Sequence, residues 1–420
     1  MLKKMVVLIL ALTLAVMAAC SPAAPAPAAE APVVEAPAED AVVEDEWGYV
    51  VVPAGEKIKI GLSSALSAGY AVYGNDMLNG VTLAIENFGG ELKGWEVIVE
   101  GGDDQCEGAP GVTVAEQFSA DPYLLGVVGP MCSGSVVPAS DIYADNNIIM
   151  FTPSSTAVIV TARGLKNIFR TVANDDLQAQ VTVDYLKNEL GIKTLALFHD
   201  QSIYGQGVAE AVAAYFVDKG ESEFDLGGGT VTAIEGITRG DTDFSAIIAT
   251  ILKDDPEAIY WGGMDAEGAL LINQLRAAGF EGGFFGPDGI KSKPSYVDAS
   301  GGAAEGSFMT FGAVGGETGY DEFEAAFTAK FGEPVAYGPG SYDSALIMLN
   351  AADAVAFVDE EGNLRIPRKA LADKVRETPF SGVTGYIEFD ENGDLKVVSI
   401  TVFKVIDGEI VPQKVYDFGK

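Results

Sequence analysis

The sequence predicts an α/β fold made of two doubly wound parallel-sheet lobes. Three observations carry that expectation. Short apolar, β-branched runs such as KIKIGL, YLLGVVG and TLALFH alternate with longer amphipathic stretches of helical period. YLLGVVG and TLALFH are apolar along almost their whole length, as strands covered on both faces are. The alternation begins at Lys57, pauses after IFRT and restarts at Asp176, so the pattern occurs twice.

In chain order, Lys57–Leu62 reads as a strand and Asn75–Phe88 as a helix stopped by Gly89 and Gly90. Trp95–Glu100 is the next strand, Val112–Ser119 a helix, Tyr123–Gly129 a strand, Val136–Ala144 a helix and Asn147–Thr152 a strand. After Ile168–Thr171 come a helix over Asp176–Leu190, a strand at Thr194–His199 and a helix over Gly207–Lys219. Thr230–Ile234 and Ala258–Gly263 follow as strands, with helices at Phe244–Leu252 and Glu267–Ala278. Towards the C-terminus, two β-rich runs around Asn392-Gly393 predict a hairpin across Tyr386–Phe403.

The N-terminus reads as an export signal over residues 1–19. Lys3 and Lys4 precede the apolar run Met5–Val16, and the small-residue stretch MAAC ends at Cys20. The run is shorter than the roughly 20 residues a membrane span needs. A cysteine at that point resembles a bacterial lipobox, with Met17 where a leucine is usual, and implies that Cys20 is lipidated. Residues 21–56 hold six prolines, many alanines and eight acidic residues without one basic residue. That composition cannot bury a core, so residues 20–56 are expected to be a disordered tether. The expected product is extracytoplasmic, anchored to the cell membrane through its lipid alone, in the periplasm or at the cell surface. A formal charge of −35 argues against nucleic-acid binding, which depends on neutralising phosphates.

With Cys20 set aside, Cys106 and Cys132 remain, and an even pair in an exported chain favours a disulfide over two free thiols. In open parallel sheets the ligand sits beyond the carboxyl ends of the strands. That rule selects five loops: 67–75, 130–135, 152–156, 200–205 and 286–289. A hydrolase would have to use His199, the only histidine, but no G-x-S-x-G elbow accompanies it. His199 reads instead as a hydrogen-bonded residue at a strand end, and no enzyme activity, metal or cofactor is expected. Binding fits better. Ser133 and Ser135, and one strand later Ser154, Ser155 and Thr156, stand where helix N-termini favour an anion, or else serve as ordinary N-caps. Asp288 could accept from an ammonium or be a plain turn residue. Tyr73, Tyr204 and Tyr337 are candidates for an apolar pocket.

The blocks DDQCEG, MCSGSVVPASDIY, FTPSSTAVIVTARG, FRTVANDD, HDQSIYGQG, DFSAII, YWGG, RAAGF and GPDGI, in this order, resemble the branched-chain amino acid-binding proteins of ABC importers. These are type I periplasmic solute-binding proteins, and the similarity runs from about Lys57 to Phe403. The resemblance implies two lobes joined by three crossing strands, with 57–173 and 312–395 in the first and 174–311 and 396–420 in the second. It implies a Cys106–Cys132 disulfide and a ligand carboxylate held by Ser133 and Thr156. The ammonium would lie at Ser154, Thr156 and Asp288, and the side chain among Tyr73, Met131, Tyr204, Met264 and Tyr337. Asp288 stands where the family has a glutamate, and Met264 replaces an aromatic residue, which loosens the branched-chain preference. The expected function is capture of an amino acid, leucine, isoleucine or valine first, for the permease subunits of an ABC transporter by a monomeric protein. The alternatives are an amide, a short organic acid or an aromatic amino acid on the same fold, or a ligand-sensing receptor domain.

Overall fold

The computed structural model describes residues 44–419 except 219, 221 and 313–318, so the export signal and Cys20 lie outside the described residues. Two sheets organise the chain. The first has six strands in the order Glu91–Leu92, Trp95–Asp103, Ile58–Ser64, Leu124–Val128, Ile149–Thr152 and Ile168–Arg170. All neighbours are parallel except the short edge pair. The second has seven strands: Glu409–Phe418, Val398–Ile406, Phe308–Gly312, Gly283–Gly286, Ala258–Gly262, Thr194–His199 and Thr230–Gly236.

In each sheet the first strand of the unit lies between the second and the third. Ile58–Ser64 is flanked by Trp95–Asp103 and Leu124–Val128, and Thr194–His199 by Thr230–Gly236 and Ala258–Gly262. The chain therefore reverses its winding direction beside that strand, which opens a crevice at the carboxyl ends. The chain passes between the sheets three times. It leaves the first sheet at Arg170 for Thr194, and it returns after Gly312 to the helices Tyr320–Phe331 and Gly338–Val355. It crosses back at Val398. The returning helix docks on the first lobe through Asp76, whose buried carboxylate accepts the N–H groups of Val335, Ala336, Tyr337 and Gly338.

Three expectations need correction. The tether does not extend to residue 56. Tyr49–Val52 is a strand paired with Leu364–Pro367, and Val50 and Val52 are fully buried. A β-branched run in a composition otherwise unable to fold still finds a sheet edge. Asp45 fastens the same segment by accepting from the N–H groups of Lys369 and Ala370, at the start of helix Arg368–Glu377. The Asn392-Gly393 turn exists, but its arms form an isolated bridge at Phe389 and Leu395 and not a ladder. Val398–Ile406 then pairs with Phe308–Gly312 and Glu409–Phe418, so the long hairpin lies one strand later. Finally, the helix expected over 176–190 runs from Asp175 to Asp184 and continues as a π-helical turn through Glu189.

Arg170, at the end of the first lobe's last strand, is fully buried. Its Nε and Nη2 form a fork on Asp394, at 2.8 and 2.5 Å. Its Nη1 donates to the carbonyls of Thr156 and Ala157 at 3.0 and 2.7 Å, and reaches Ser155 O at 3.5 Å. Burial pushes the Asp394 carboxyl up, but the hydrogen bond and charge of Arg170 outweigh it and hold the group below its ordinary value. Arg170→Met would strand that carboxylate, and the expected loss is about 3–5 kcal/mol in urea denaturation. Adding Asp394→Leu should recover much of it, and a single-variant loss below about 1 kcal/mol would contradict this role.

Candidate functional site

The carboxyl ends of both sheets face one cavity of about 510 Å³. Its first-lobe wall begins at Gly129, whose φ of 97° and closeness to Ser63 O leave no room for a Cβ. The tight turn brings Met131, Cys132 and Ser133 to the cavity, and Cys132 is bonded to Cys106. Helix Ser133–Asp145 starts there, where Ser135 N already donates to Cys132 O, and the N–H groups that precede it in the first turn have the geometry suited to an anion.

The 152–157 loop is laced to this turn. Ser154 and Ser155 donate to Met131 O at 2.9 and 2.8 Å, and Ala157 N donates to Ser133 Oγ at 3.3 Å. Arg170 draws the carbonyls of residues 155–157 inward. Across a trans peptide the following N–H points the opposite way, so the N–H of Thr156 is turned away from Arg170.

The second lobe supplies Asp288. Its Oδ1 accepts from Tyr204 Oη at 2.8 Å and Gln178 Nε2 at 3.0 Å, and its Oδ2 from Tyr337 Oη at 3.1 Å. Burial raises its proton affinity, and these donors oppose the rise. All three are neutral. Asp288 is thus a buried carboxylate with hydrogen bonds but no bonded cation among the described residues, an arrangement that a cationic group would complement. Tyr337 belongs to the first lobe, so its hydroxyl also joins the lobes. Tyr73, another first-lobe residue, donates to Asp265 Oδ2 in the second.

Seven of the expected residues line the cavity: Met131, Ser133, Ser154, Tyr204, Met264, Asp288 and Tyr337. Tyr73 and Thr156 do not. Tyr73 stands behind Tyr337, with ring centres 5.7 Å apart, and its hydroxyl is engaged by Asp265. The Thr156 side chain is buried, and its Oγ1 has no hydrogen-bond partner of good geometry among the described residues. Only its main-chain N–H suits a ligand carboxylate. His199 is a strand-end residue whose Nδ1 accepts from Gln201 N at 3.2 Å.

Sequence reasoning missed Asp175, Gln178, Arg239 and Asp265. Each follows a strand end, after Arg170, Gly236 or Gly262, so the rule that chose the five loops would have found them. Gln178 Nε2 stands between two carboxyls, 3.0 Å from Asp288 Oδ1 and 3.4 Å from Asp175 Oδ1. Burial, and then the charge of Asp288, push the Asp175 carboxyl up to about 8.

The profile of the periplasmic binding protein family matches residues 57–409. A leucine-, isoleucine-, valine-, threonine-, and alanine-binding protein of Pseudomonas aeruginosa is 33% identical over 357 residues, 84% of this chain and 90% of that protein. A Leu/Ile/Val-binding protein homolog of Brucella melitensis is 32% identical over 358 residues, 84% of this chain and 93% of that one. Among solved structures, a leucine binding protein of Thermotoga maritima shares the fold with a TM-score of 0.76 at 26% identity. That match covers 85% of this chain and 98% of the other.

The raised proton affinity of Asp175 makes stability depend on pH. Below about pH 4 an unfolded aspartate also holds its proton, and the group adds no difference. As pH rises towards 8 the unfolded chain releases a proton that the folded chain retains, so stability falls. Asp175→Asn removes this titration while other buried acids cancel in the comparison. Its denaturation midpoint relative to the parent is expected to climb between about pH 4 and 8, and parallel profiles would contradict the assignment.

Proposed function

The chain belongs to the periplasmic binding protein family, and we propose that it captures a free amino acid and hands it to an ABC importer. The carrying observation is Asp288, a buried carboxylate bonded only by neutral donors, lining the same cavity as the N-terminus of helix Ser133–Asp145. A zwitterion complements both. Its ammonium supplies the positive charge that Asp288 lacks, and its carboxylate takes the N–H groups at Ser133 and Thr156. Ser154 lines the same wall, with its hydroxyl already given to Met131 O.

Met131, Met264, Tyr204 and Tyr337 offer contact to an aliphatic side chain. The related proteins named for leucine, isoleucine and valine support these as first ligands. Burying such a side chain contributes about 1.5–3 kcal/mol. Because the walls of the cleft come from different lobes, the ligand gains its full set of contacts only when they meet, and it favours the closed form. The protein works as a binding protein, releasing its ligand unchanged to the permease subunits.

Cys20 is proposed to carry the lipid that holds the protein at the outer face of the cell membrane. Cys20→Ser should move the protein from the membrane fraction to the soluble one, where sedimentation should show a monomer. Retention at the membrane would remove the anchor. Calorimetry should show leucine, isoleucine or valine binding. Asp288→Ala should weaken leucine about 10- to 100-fold, the worth of a charge-assisted hydrogen bond, and weaken 4-methylpentanoate far less. Equal losses for the two would remove the ammonium role.

A further inference from the structure

Tyr73 and Asp265 meet across the two lobes, behind the wall of the cleft. Tyr73 lies in the first turn of helix Ala71–Phe88, which follows strand Ile58–Ser64 of the first sheet. Asp265 opens helix Asp265–Ala277, which follows strand Ala258–Gly262 of the second. The Tyr73 hydroxyl donates to Asp265 Oδ2, 192 positions along the chain. Asp265 Oδ1 accepts from Ala266 N at 2.9 Å, so the carboxylate is oriented by its own helix. Both residues are 3% exposed.

Neither residue lines the cavity. The Tyr337 ring stands in front of Tyr73, their centres 5.7 Å apart, and it is Tyr337 that forms the wall. The two tyrosine bonds that join the lobes therefore differ. Tyr337 donates to Asp288 inside the cavity, where the proposed ammonium shares the carboxylate. The Tyr73–Asp265 bond uses protein atoms alone and forms whenever the lobes meet, whatever the cleft holds. A hydrogen bond from a hydroxyl to a carboxylate is among the stronger ones. Parting the lobes breaks it, because its two ends are carried by different sheets. It therefore stabilises the closed form over the open one, and any ligand that binds the closed form gains from it by linkage.

We propose that Tyr73 is a positioning residue which, through Asp265, latches the lobes and sets the balance between their open and closed arrangements. Its contribution to affinity is a common factor for every ligand, whereas the residues of the cavity wall set the preference among ligands. The inference rests on closure of two lobes and not on the identity of the captured molecule.

Tyr73→Phe keeps the ring and removes the hydroxyl, and Asp265→Ala removes its acceptor. Small-angle scattering of the ligand-free protein should show a larger radius of gyration for each variant than for the parent. Calorimetry of Tyr73→Phe with leucine, valine and 4-methylpentanoate should show all three weakened by the same factor, about tenfold. Leucine should dissociate faster, and the order of preference should not change. The double variant should lose no more affinity than the worse of the two single ones, since either change alone breaks the bond. Unchanged scattering in both single variants would overturn the latch. Losses that differ among the ligands would also overturn it, making Tyr73 a pocket residue, and so would single losses that simply add in the double variant. If the parent binds none of the three ligands, the amino-acid reading fails, and the scattering still decides the latch.

Discussion

The fork of Arg170 on Asp394 is the contact on which the rest of this architecture turns. Arg170 ends the last strand of the first sheet, Asp394 precedes the third passage between lobes, and Nη1 gathers the carbonyls of the 155–157 loop. One side chain thereby fixes two crossings and the ligand loop in a single frame. Peptide planarity converts the inward pull on the carbonyls into an outward aim of the N–H groups. Thr161 Oγ1 and Asn174 Nδ2 also donate to Asp394, so the buried charge is shared by several groups. A buried pair of this kind adds less net stability than its distances suggest, because both ions are desolvated. Its contribution is geometric.

The other side of the cleft follows the opposite logic. Asp288, Asp175 and Asp265 are buried, and burial raises the proton affinity of each. Tyrosine hydroxyls and the Gln178 amide satisfy their lone pairs only in part, and Asp175 Oδ2 has no hydrogen bond of good geometry among the described residues. Such groups cost stability in the ligand-free protein. They make sense where a cation arrives with the ligand. On the proposed reading the first lobe receives the ligand's anion through backbone dipoles, and the second its cation through carboxylates.

Much of this was legible in the sequence because it rests on local patterns. The apolar runs marked the parallel strands, since a strand covered on both faces has no polar side. Loops 130–135, 152–156, 200–205 and 286–289 were found because ligand sites lie at carboxyl ends of such strands. The segment 312–385 shows no such alternation in sequence, yet it holds helix Gly338–Val355, which docks through Asp76. The strand Tyr49–Val52 was hidden in a proline- and acid-rich context, because its partner Leu364–Pro367 lies far along the chain.

The sequence by itself determined the two α/β units, the pairing of Cys106 with Cys132 and most of the small residues at the cleft. These follow from periodicity, composition and residue count, which need no knowledge of distant neighbours. Only the tertiary structure decided which side-chain atoms face the cavity. Thr156 stays behind the cavity wall with its hydroxyl buried, Tyr73 gives way to Tyr337, and Arg239 arrives from a strand end outside the five expected loops. The physical reason is that orientation is set by contacts between lobes and by carbonyls pulled toward one buried arginine. Those forces act between residues that no local window contains.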